Sequence, residues 1–163
     1  MKDKGQNTLP ADVYLSFVSS LYGNRQTLFV GMISHVITFS FVYAKTADPF
    51  FLIWSGLVIA IWSLRAVGMR HFDRVDHAAL DMDGIRYWEN WYNLGAVGTT
   101  LALGTSCGYS LLFSRDSFAE LATIAVTLAT MVSVVGRNCG SKRAVDYMTF
   151  SACFPMVVGF LGL

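Results

Sequence analysis

Apolar and polar positions in this chain neither alternate nor recur at a short period; they separate into blocks. Five stretches, 26–44, 49–64, 90–114, 118–136 and 147–163, hold few or no charged residues, and charged connections divide them. Runs near 20 residues match the length of an α-helix crossing a hydrocarbon layer about 30 Å thick. The first run, at about 1.5 Å per residue, gives roughly 28 Å. The second begins after the cap-like pair Asp48 and Pro49 and is short as it stands. It continues as a helix through Met69 if Arg65 and Arg70 extend their heads toward water. The pattern predicts an all-α, polytopic transmembrane bundle with five spans in this chain, at 26–44, 49–69, 90–114, 118–136 and 147–163.

The connections refine this. Segment 1–25 is expected to be a cytoplasmic N-terminal segment with no cleaved signal, because Met1 to Thr8 is polar and lacks a short apolar core. Within it Pro10 opens a short helix whose stripe of Val13, Phe17 and Leu21 suits either the bilayer surface or docking against the bundle. Residues 26–163 form the transmembrane domain, with a cytoplasmic loop at about 70–89. That loop ends in Tyr87, Trp88, Trp91 and Tyr92, a composition typical of a membrane–water boundary. Arg115 and Asp116 make a tight turn, which predicts an antiparallel pairing of the third and fourth spans.

Basic residues decide the expected orientation. Lys2, Lys4, Arg25, Arg65, Arg70, Arg74, Arg86, Arg137, Lys142 and Arg143 fall on one side of a five-span path, and only Lys45 and Arg115 on the other. By the positive-inside rule the N-terminus is expected to be cytoplasmic. The fifth apolar run has no terminal anchor, so a continuation with a sixth span is expected.

Composition narrows the function classes. The chain is 54% apolar and 14% charged, with a formal charge of +1. Its Lys and Arg are dispersed among loops, so no basic face for nucleic acid is expected. Cys107, Cys139 and Cys153 form no Cys-x-x-Cys pair and read as small apolar fillers.

Candidate chemistry is sparse. Ala96, Thr100, Gly104 and Gly108 recur every four residues, which gives the third span a smooth face for another backbone. Packing within the chain is one use of that face; a homodimer seam at Gly104 and Gly108 is the other. Ala125, Ala129 and Ser133 repeat the device on the fourth span. His35 lies near mid-membrane, where an ionisable group marks a pathway or ligand, or is a neutral imidazole bonded to a neighbouring hydroxyl. His71 and His77 are six apart and share no ligand face, while Asp81, Asp83 and Gly84 lack the spacing of an ion-binding loop. Glu120, beside Arg115 and Asp116, reads as interfacial. No phosphate loop, nucleophile elbow or metal-protease pair occurs, so neither catalysis nor a metal or cofactor is expected.

The wording of three segments carries a resemblance: 9–18 (LPADVYLSFV), 116–121 (DSFAEL) and 134–138 (VVGRN). Over essentially its whole length the chain resembles the N-terminal multi-span membrane region of bacterial GGDEF/EAL proteins, which make and degrade cyclic-di-GMP. The resemblance implies a sensory or anchoring region that precedes cytoplasmic GGDEF/EAL output domains. No GGDEF or EAL string occurs in the 163 residues, so no catalytic residue is carried over.

Segment 136–143 (GRNCGSKR) ends the fourth span with both a helix stop and basic anchors. A plain cap is one expectation. The sharper one is that Arg137 and Asn138, with Arg65 and Arg70, report a change in helix packing to an output domain. Against this stands a freestanding small membrane protein, a transporter component or assembly subunit, although no span carries a mid-membrane acid. A haem or quinone protein is the third alternative and rests on His35 alone.

Overall fold

The computed structural model describes residues 10–23, 25–114, 116–138 and 141–162, the side chain of residue 78 excepted. The expectations that rest on residues 1–9, Arg115, Cys139, Gly140 and Leu163 lie outside the described residues.

Six α-helices account for almost all of these residues: α1 (Ala11–Gly23), α2 (Arg25–Thr46), α3 (Pro49–Phe72), α4 (Met82–Tyr109), α5 (Ser117–Asn138) and α6 (Lys142–Leu161). A short 3₁₀ turn, His77–Ala79, precedes α4, and a π-helical turn, Ser110–Ser114, prolongs it. Helices α2 to α6, the fourth counted with its π turn, are long and apolar enough to cross a membrane. The all-helical bundle with five spans is therefore the architecture of the chain.

The helix starts follow from capping. Asp48 accepts a hydrogen bond from the Phe50 amide at 2.9 Å, with Pro49 in the first turn. Asp81 accepts from the Gly84 amide at 2.8 Å, and Ser141 from the Ala144 amide at 3.3 Å. These caps shift two predicted boundaries. Helix α4 starts at Met82 rather than residue 90, which contracts the 70–89 loop to 73–81, because Asp83, Arg86 and Glu89 ride on a helix that runs past the apolar block. Helix α6 starts at Lys142 rather than 147 for the same reason.

Helix α4 is the centre of the bundle. Over its most apolar stretch 56% of residues are buried, against 17% for α2, α3 and α5. The outer helices turn Phe41, Ile53, Leu121, Val132 and Phe150 outward, an exterior suited to lipid. Two apolar clusters fill the interior. One, at the end where α1 docks, joins Val18, Leu21 and Tyr22 to Met69, Phe72, Ile85 and Met148. The other, at the Lys45 end, gathers Phe39, Val42, Phe51, Val58 and Leu103.

The smooth face of α4 meets α6, not α5. A Cβ on Gly104 would collide with the Ala152 carbonyl, and one on Gly108 would stand 2.5 Å from the Pro155 oxygen. Thr100 and Ser151 share a hydrogen bond between their hydroxyls at 2.6 Å across the same seam. Gly104 and Gly108 are thus occupied within the chain, and the third–fourth pairing through their face is corrected. Small residues state that a backbone comes close, not which one. Helix α5 meets α4 through a threonine face instead, where Thr127 donates to the Leu103 carbonyl at 3.3 Å. Its Ala125, Ala129 and Ser133 are exposed.

Helix α1 is a docking helix. Val18, Leu21 and Tyr22 are buried, whereas Val13, expected on the buried stripe, is 48% exposed. The stripe rotates because Tyr22 finds a better partner than Val13 could: its ring stacks on Phe72 and its hydroxyl donates to the Trp88 carbonyl at 2.8 Å. The aromatic group 87–92 is accordingly split. Tyr87 and Trp91 face outward, while Trp88 and Tyr92 pack inward against Tyr22.

Candidate functional site

A cavity of about 190 Å³ opens between α2, α3, α4 and α5, toward the α1 end of the bundle. Arg65 of α3, Arg137 and Asn138 of α5, and Tyr92 and Thr99 of α4 line it. Three of these are residues singled out in the sequence for signalling, and the fold brings them to one place.

Arg65 is held rather than loose. Its guanidinium lies over the Tyr92 ring, 5.3 Å from the centroid, and its Nη1 donates to the Thr99 hydroxyl at 3.4 Å. Gly95 makes room for its stem: a Cβ there would stand 2.6 Å from Arg65 Cγ. Its Nε is nevertheless shielded from solvent without a partner. Arg137 Nη2 is in the same state, as is Asn138 Oδ1, although Asn138 Nδ2 donates to the Val134 carbonyl at 2.9 Å. The cavity therefore presents unmet donors from two cations beside one unmet acceptor.

His35 lines the deeper wall. Its Nε2 stands 2.8 Å from Thr130 Oγ1, whose own proton goes to the Val126 carbonyl at 2.8 Å, so the imidazole is assigned as the donor. The mid-membrane histidine thus has a hydroxyl partner from a neighbouring helix. His71 and His77 stand outside the cavity, and His77 is within 3.0 Å of the Phe72 carbonyl. No group of three His, Cys, Asp or Glu among the described residues could hold a metal. Asp81 serves as the α4 cap. Cys107 is buried and Cys153 half-buried, both free thiols.

Arg70 is exposed and does not join the cavity; Gly104 and Gly108 lie in the α4–α6 seam. The sequence could not bring Arg65 and Arg137 together, since 72 positions separate them, but it carried one signal. Both sit at the ends of apolar runs with no acid three or four residues away on the same helix. Tyr92, Thr99 and Gly95 were not singled out for this site.

Chemically, the arrangement can take up negative charge and a hydroxyl donor. No known protein family, curated protein or solved structure matches this chain.

Proposed function

We propose that this chain is a non-catalytic sensory and anchoring module of a cyclic-di-GMP signalling protein in a bacterial inner membrane. Its N-terminus lies in the cytoplasm, on the side that carries most of its basic residues. The observation that supports a sensory role is the convergence of Arg65, Arg137 and Asn138 on one cavity walled by separate helices. Occupancy of such a cavity favours one helix arrangement over another by its differential affinity for the two. Asn138 ends α5 just before the turn into α6, so a shift there moves the seam that α6 makes with α4. The segments at 9–18, 116–121 and 134–138 supply the link to GGDEF/EAL output domains.

The test is direct. The reading frame continued past codon 163 is expected to encode a GGDEF-bearing domain, and Arg137→Ala in that product is expected to change cyclic-di-GMP output at equal membrane abundance. A stop at that codon, or an unchanged output, discards the proposal.

A further inference from the structure

We infer that the cavity holding Arg65 and Arg137 is an anion site, and that it takes a phosphate group carrying a hydroxyl, presented by a lipid headgroup or free in solution. The inference rests on the proposed sensory role only in taking this cavity as the occupied site. In vitro binding decides it without any output domain.

Charge balance carries the first step. Four other described basic side chains have carboxylate partners, Arg25 with Asp73, Lys45 with Asp116 at 3.4 Å, Arg86 with Asp83 at 3.8 Å and Lys142 with Asp146 at 2.6 Å, while Arg143 is held by the Tyr147 hydroxyl at 3.3 Å. Arg65 and Arg137 pair with no carboxylate among the described residues, and no Asp or Glu lines the cavity they share. A guanidinium does not shed its proton, so burial cannot neutralise it as it would a lysine. Two such cations with shielded, unmet N–H groups call for an anion between them.

The acceptor narrows the class. Asn138 Oδ1 is unmet beside the two cations, so the best ligand offers a donor as well as anionic oxygens. Hydrogen phosphate does so, and so does a phosphoglycerol headgroup. The volume, about 190 Å³, holds a phosphate with a few waters at about 30 Å³ each. Arg65 also borders a second, apolar hollow of about 270 Å³ between α3 and α4, lined by Ile61, Leu64, Met69 and Leu94. A lipid could lay an acyl chain there with its phosphate at Arg65, which is why the headgroup is one of the two sources.

Two arms separate the sources. Purified protein in phosphatidylcholine nanodiscs doped with phosphatidylglycerol is delipidated and weighed by native mass spectrometry; retained phosphatidylglycerol identifies the lipid. Thermal unfolding in neutral detergent with inorganic phosphate, against chloride at equal ionic strength, identifies the free ion. In whichever arm responds, Arg65→Gln and Arg137→Gln are each expected to weaken binding about tenfold, the loss of one charge-assisted hydrogen bond or more, and Arg70→Gln to leave it unchanged. Should a glutamine variant fail to fold, Ser133→Leu fills the cavity mouth from the exposed face of α5, keeps both arginines, and is expected to abolish binding. Wild-type protein that responds in neither arm overturns the inference, as does binding undiminished in the folded variants. Failure here alongside a changed cyclic-di-GMP output in Arg137→Ala would remove the anion and leave the sensory role standing.

Discussion

The two ends of the bundle solve the same problem in opposite ways. At the Lys45 end charge is answered from within: Lys45 meets Asp116, and Asp48 both caps α3 and accepts the Tyr109 hydroxyl at 2.9 Å. Phe50 and Tyr109 stack with centroids 3.6 Å apart and seal that end. At the α1 end the chain commits two guanidiniums to a cavity and supplies no carboxylate. Closure by internal pairing gives stability and leaves nothing to bind; incomplete pairing costs stability and leaves a site.

The largest effect is expected where both ends depend on one seam. Gly104→Leu drives a side chain into the Ala152 backbone, which cannot swing aside as a side chain would. A loss of about 3 kcal/mol or more is expected, read as a collapse of the thermal transition in detergent. Retained stability would mean that α6 can leave α4 without cost, and the contrast between the ends would lose its common frame.

At the closed end, Asp48→Ala removes the α3 cap and the acceptor for Tyr109 together, and about 2–3 kcal/mol is expected to go. Asp48→Asn keeps one oxygen for the cap but sets an NH2 donor where Oδ2 accepted from Tyr109, so it should recover only the cap's share, about 1 kcal/mol. At the open end the sign reverses. Arg65→Met in anion-free detergent replaces an unanswered cation with an apolar side chain of similar length, and a gain of about 1 kcal/mol is expected despite the lost contact with Tyr92. A loss instead would show that the α1 end is as self-sufficient as the other.

The difference between the ends also explains what the sequence reveals. The five spans were legible because lipid imposes a simple demand: about 20 uncharged residues between anchors. Where a helix runs past the lipid the demand lapses, so the first turns of α4 and α6, with Asp83, Arg86, Lys142 and Asp146, read as loop. The face of Gly104 and Gly108 was legible as a face, but its partner was not, because α6 presents Ala152 and Pro155 through their backbone atoms. The roles of Arg65 and Arg137 were half legible. Each stands out as a charge at the end of an apolar run, whereas their meeting depends on how α3, α4 and α5 pack. Arg70, five residues from Arg65, faces outward.

The smallest expected effect concerns what holds α1 over the open end. Tyr14 donates its hydroxyl to Glu89 Oε2, and burial, then the bond to Glu89, push its pKa up to about 12. Burial likewise raises Tyr22 above the ordinary value. A folded pKa above the unfolded one, near 10 for tyrosine, means that the stabilisation is complete below pH 10 and fades as pH climbs toward 12. Helix α1 should therefore loosen across that window, followed by the fluorescence of Trp88, which packs edge-on to Tyr22. Tyr14→Phe should remove the lower part of this alkaline step and cost about 1 kcal/mol at neutral pH. Apolar burial of Val18 and Leu21 still docks the helix in that variant, so its loss at neutral pH would mean that one hydrogen bond, rather than the apolar face, keeps the open end covered.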